Sequence, residues 1–161
     1  MFTPDCILDT VMAEGVGPMA PDDHEAVDTR APVSAVVAML PVKDVERSAV
    51  FYRLLGFEVG NRVPRTGTMG WAWLFSPHVP DWRRGPNLML TRTDGALNTS
   101  GPKALFYLYA SDLVALRESL IAAGQQPGPI SYPDYLPKGE FPLHDPDGHL
   151  LMIAQRFEDT P

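Results

Sequence analysis

The chain has 161 residues, 45% of them hydrophobic and 20% charged, enough for one domain that buries its own core. No apolar run approaches the roughly 20 residues a membrane-spanning helix needs. The acidic N-terminus lacks a secretory signal's basic start, and the single cysteine, Cys6, excludes an intramolecular disulfide. The expectation is a cytoplasmic protein with no membrane partner.

The net charge is −7, and residues 1–31 hold seven acids (Asp5, Asp9, Glu14, Asp22, Asp23, Glu25 and Asp28) against one base, Arg30. The remaining chain is near neutral and offers no basic footprint for nucleic acid. Within this extension Ile7, Leu8, Val11 and Met12 recur at helical spacing, which predicts a short helix. The following Pro, Gly and acidic residues lack periodicity and read as a linker.

The body is expected to start at residue 32. VSAVVAMLPV is a valine-rich strand candidate. In KDVERSAVFYRLLGF the residues Val45, Ala49, Phe51 or Tyr52, and Leu55 share a helical stripe. Asp44 is placed to cap that helix and Gly56 to stop it. FEVGNRV, TMGWAWLFS and PNLMLTR read as three further strands. The order then repeats: KALFYLYA as a strand, SDLVALRESLIAAG as a helix from Asp112 to Gly124, then QQPGPISY, GEFPLHD and GHLLMIAQR. Cap and stop glycine are 12 residues apart in both halves, which suggests a duplicated βαβββ unit over 32–101 and 102–161.

LPVKDVERSAVFYRLLGFEV resembles the opening strand–helix–strand of glyoxalase/bleomycin-resistance/dioxygenase proteins, and GEFPLHDPDGHLLMIAQ resembles their closing hairpin. The resemblance covers about residues 33–156. It implies an α+β fold of the vicinal-oxygen-chelate superfamily, with two βαβββ modules in a curved, partly open, eight-stranded barrel-like sheet around a cup. It also implies a homodimer with ligand grooves at the subunit interface. Asp145-Pro146-Asp147-Gly148 is strong turn chemistry and is expected to be a turn and nothing more.

The superfamily's enzymes hold a divalent metal with one His or Glu from each of four strands. The matching positions here are Val37, Leu105 and Met152, and the fourth strand, around Asn87–Thr91, contains no His, Glu or Asp. Apolar side chains cannot replace such donors, so neither a metal nor another cofactor is expected. The resemblance is therefore to the bleomycin-resistance branch. No GxSxG or phosphate-cradling glycine loop is present, and no catalytic residue is assigned.

What remains is binding surface. A strand side chain at a ligand position shares its face with its i±2 neighbours, which assigns Met39, Leu105, Tyr107, Tyr109 and Met152 to the cup. Trp71, Trp73 and Phe75 alternate with Ala72 and Leu74 and form an aromatic wall or a packed core. Trp82, Tyr132 and Tyr135 are placed at the mouth, where Asp134 and Glu140 are available to a cationic group. The expected partner is an aromatic or glycopeptide-like antibiotic, sequestered without metal. The alternative is an isomerase, lyase or dioxygenase-like enzyme of the superfamily with a displaced or metal-free site. In that reading Tyr107, Tyr109, Glu140 and His144 are the acid/base groups.

Overall fold

A computed structural model describes residues 35–79, 85–95, 97 and 105–157. The chain divides into two units, Met1–Val36 and Val37–Pro161. The helix expected near Ile7–Met12 lies outside the described residues.

The second unit opens with strand β1 (Ala38–Val42), in which Leu40 and Val42 are buried while Met39 and Pro41 are exposed. Helix α1 (Val45–Arg53) begins where the Asp44 carboxylate accepts the Arg47 N–H at 2.9 Å. This satisfies a donor that the first helical turn cannot pair internally, an effect of about 1 kcal/mol. The helix ends at Gly56, whose φ of +85° lets the Phe57 N–H reach back to the Tyr52 carbonyl at 3.1 Å. Its buried stripe is Val45, Ser48, Ala49, Phe51 and Tyr52. Strands β2 (Glu58–Val63), β3 (Trp71–Phe75) and β4 (Asn87–Arg92) complete the half. The sheet order is β1-β4-β3-β2, with β1 and β4 parallel.

Strand β5 (Phe106–Ala110) starts the second half, and helix α2 (Leu113–Ala122) follows it. Asp112 accepts from the Ala115 N–H at 2.9 Å, and Gly124, at φ +78°, lets Gln125 N–H bond the Leu120 carbonyl at 2.9 Å. Cap, helix and stop thus repeat bond for bond. Strands β6 (Glu140–His144) and β7 (Leu150–Gln155) give the order β5-β7-β6, again with the first pair parallel.

The strand expected in QQPGPISY reduces to one bridge, Ser131 with Glu140, beside a bond from the Gly128 N–H to the Pro142 carbonyl at 2.8 Å. Pro127 and Pro129 have no N–H to give, so no longer ladder forms. The segment borders β6 as β2 borders β3. The described residues therefore form seven strands in two unclosed sheets, with one helix per half.

A single core runs through both halves. It collects Leu40, Val42, Leu74 and Leu90 from the first sheet and Phe141, Leu143, Leu151 and Ile153 from the second, under the helix faces. Leu40, Val42, Leu151 and Ile153 are buried, with Phe106 and Leu108 packed against them. No helix among the described residues is long and apolar enough to cross a membrane.

The closing turn is more than a turn. Asp145 Oδ1 accepts the N–H groups of Asp147 and His149, at 3.0 and 2.8 Å, and its Oδ2 accepts the buried Tyr52 hydroxyl at 3.2 Å. Asp147 accepts from the Lys43 N–H (3.2 Å), Arg47 Nη2 (2.9 Å) and the Ser48 hydroxyl (3.2 Å). Two carboxylates of the second half thereby take up donors of the first, Asp147 at the start of α1 and Asp145 in its last turn. Burial, reinforced by the Asp145 charge, raises the Tyr52 phenol far above its ordinary value, so it stays a neutral donor.

Candidate ligand-binding surface

The faces turned away from the core carry the expected site residues, one group on each sheet. On the first sheet Trp71, Trp73 and Phe75 stand opposite the fully buried Ala72 and Leu74. The register sets Trp73 beside Met89 and Met89 beside Met39, which continues the surface across three strands. Trp73 and Phe75 stack, with ring centroids 5.1 Å apart and planes 12° from parallel. Such a pair contributes about 0.5–1.5 kcal/mol beyond its buried area.

Gly60 makes this stack possible. Pairing shifts between Val59 and Asn61, and a Cβ at residue 60 would lie 2.3 Å from Trp73 Cζ3 and 2.9 Å from Phe75 Cδ1. Only a residue without a side chain lets the indole lie against the strand there. Sequence reasoning did not single out this glycine. A glycine inside a strand facing an aromatic one was its available signal. Trp71 is buried, while Met39 is half exposed.

The second sheet is richer in polar groups. Tyr107 pairs with Met152, and Tyr109 with Ala154, which in turn pairs with Glu140. The tyrosines are 40% and 58% exposed, with ring centroids 6.4 Å apart. Glu140 is only 4% exposed. Phe141 and Leu143 point into the core, so alternation puts Glu140, Pro142 and His144 on the opposite face. Glu140 Oε1 accepts the Tyr135 hydroxyl at 3.0 Å, and Oε2 is buried without a partner.

Desolvation, then the hydrogen bond and charge of Glu140, push the Tyr107 phenol up to about 12. Tyr135 is raised too, first by its hydrogen bond to Glu140 and then by desolvation. Both phenols therefore remain protonated donors through the neutral range. Glu140 was read from the sequence as a group near the mouth of the cleft. It lies instead within the sheet face, because its strand begins one residue after Gly139.

The other expected residues are placed as follows. Leu105 precedes β5 and is exposed, as is Tyr132, whose ring passes close to Gly139. Trp82 lies outside the described residues. Trp73 makes a ring contact with Phe75 and Tyr107 with Tyr109, each pair within its own sheet. A cavity of about 330 Å³ is lined by Gly124, Gln125, Gln126, His144, Asp145 and Pro146; of the expected groups it includes only His144 of the alternative enzyme reading.

A metal fits poorly. Val37, Leu105 and Met152 offer one thioether among them, and β4 has no His, Glu or Asp. Among the described residues no three His, Cys, Asp or Glu side chains converge as a ligand set. His149, one of two histidines flanking the turn, bonds the Pro41 carbonyl through Nε2 at 2.9 Å.

The architecture has counterparts among solved structures. A bleomycin resistance determinant encoded on the transposon Tn5 superposes with a TM-score of 0.61 at 21% identity, over 78% of this chain and 100% of the other. The fold is that of the bleomycin-resistance proteins. A bleomycin-binding protein complexed with bleomycin matches with a TM-score of 0.59 at 21% identity, again over 78% of this chain and 100% of that one. TnmS3, an antibiotic binding protein from Streptomyces sp. CB03234, matches at 0.52 and 20%, over 76% and 97% of the two chains. No family model matches the sequence, and no curated protein matches it. The bleomycin-resistance fold here keeps its duplicated frame.

Proposed function

We propose that the protein binds a small aromatic molecule, antibiotic-like in kind, and sequesters it unchanged and without a metal in the cytoplasm. The observation that carries this reading is the pair of aromatic sheet faces left outside the core: the Trp73–Phe75 stack over Gly60, and Tyr107 with Tyr109. Aromatic surface that the fold itself does not bury is available to stack on a planar ligand. Similar structures that bind bleomycin and another antibiotic support the same reading. In it the protein is a homodimer whose second copy helps enclose the ligand, and Met39, Trp71, Trp82, Leu105, Tyr132, Tyr135 and Met152 line or close the site. The body then comprises the modules 32–101 and 102–161, with 1–31 as an acidic extension.

The enzyme reading draws on Tyr107, Tyr109, Glu140 and His144. A phenol pushed up to about 12 is poorly matched to proton transfer near neutral pH, which favours binding over catalysis.

The test is tryptophan-fluorescence titration of the full chain with bleomycin and a panel of polycyclic aromatic antibiotics. The ligand is then recovered and weighed by mass spectrometry. Saturable quenching with unchanged ligand mass is expected, and a new mass under turnover conditions would establish the enzyme instead. Sedimentation analysis tests the dimer.

A further inference from the structure

Among the described residues Glu140 is the one carboxylate on the strands of the sheet that carries Tyr107 and Tyr109. Two phenols donate to it, Tyr135 to Oε1 at 3.0 Å and Tyr107 as well, yet Oε2 is buried with no aligned donor of its own. The two ion pairs between described residues, Arg47 with Asp147 and Arg92 with Asp94, lie elsewhere. A desolvated carboxylate oxygen without a donor costs free energy that a charged N–H partner would offset. Around it stand phenol rings whose faces attract a cation.

We infer that this face selects a ligand with a protonated nitrogen, whose N–H seats on Oε2 of Glu140 between the rings of Tyr107 and Tyr135. The inference rests on the aromatic-binding reading above and names the charge of the molecule bound. Tyr107 and Tyr135 are 40% and 68% exposed, and exposed side chains change rotamer in picoseconds to nanoseconds. Tyr135 then has a second role: its hydroxyl orients the carboxylate by holding Oε1, leaving Oε2 for the ligand.

The experiment uses two tricyclic probes of similar shape, proflavine, a cation at pH 7, and acridone, which is neutral. Each is titrated calorimetrically into the full chain. Proflavine is expected to bind about tenfold to a hundredfold tighter than acridone, the range of one charged hydrogen bond. Glu140→Gln is expected to abolish that preference. Tyr135→Phe, which keeps the ring and the carboxylate but removes the hydroxyl that holds Oε1, is expected to weaken the preference without abolishing it. It gives a second reading should Glu140→Gln fail to fold. Equal affinity of the wild type for both probes overturns the inference while leaving aromatic binding intact. A preference that persists in Glu140→Gln, or vanishes in Tyr135→Phe, overturns it too. Failure of both probes to bind overturns the inference and the aromatic reading together.

Discussion

The two halves of the body share a skeleton and differ in chemistry. Each has a strand, an Asp-capped helix, a left-handed glycine stop and a parallel return of its last strand beside its first. Each buries alternate strand residues under its helix. Yet the face away from the core carries indole, phenyl and thioether groups in one half, and phenols with a buried carboxylate in the other. The difference shows where sequence freedom lies. Caps, stops and core positions are fixed by backbone geometry and burial, so they repeat. The i±2 positions on the opposite face answer to whatever they contact.

The largest expected effect tests whether the skeletons are equivalent. Leu74→Ala and Leu151→Ala each empty a fully buried site, one per half, and each should cost about 3 kcal/mol by urea unfolding. A much smaller loss in one half would show that its core is looser and break the equivalence. Next comes the joint between them. Asp147→Ala strips the acceptor shared by Lys43, Arg47 and Ser48, and should cost about 2 kcal/mol, discounted because Arg47 is half exposed. If the halves fold as one cooperative unit, unfolding stays a single transition; two transitions would show them separable.

Gly60→Ala probes the first half alone. The added methyl collides with Trp73 and should cost about 1–3 kcal/mol while shifting tryptophan emission. Unchanged emission would mean that the indole does not rest on the strand.

The smallest effect is a titration. Tyr52 in one half, and Tyr107 and Tyr135 in the other, have phenols raised above the unfolded value of about 10. The stability this represents is complete below pH of about 10 and is lost as pH climbs through the folded values, about 12 for Tyr107. Tyrosinate absorbance should show Tyr107 falling toward its ordinary value in Glu140→Gln with Tyr52 unmoved. Asp145→Asn should do the reverse.

Much of this was legible beforehand. Asp44, Gly56, Asp112 and Gly124 announce themselves because capping and positive φ demand particular residue types. The alternation around Trp71, Trp73 and Phe75 revealed which residues share a face. Three features were not legible. The role of Asp145 and Asp147 in holding α1 depends on contacts about a hundred residues apart, which no local pattern encodes. Gly60 acts through a cross-strand neighbour. The loss of a strand in QQPGPISY was the most readable of the three, since Pro127 and Pro129 sit where ladder donors would be needed. There β-like composition outweighed a plain stereochemical objection.

Those prolines also bear on how copies of the chain meet. A sheet border with free N–H and C=O groups invites another molecule to extend it, and repeated extension ends in fibres. Beyond β6 that invitation is withdrawn, since the bordering segment is interrupted at two of its donors. Growth by strand addition is blocked on that side. A protein with exposed aromatic side chains runs a risk of clumping, and two imino acids remove one of the routes to it.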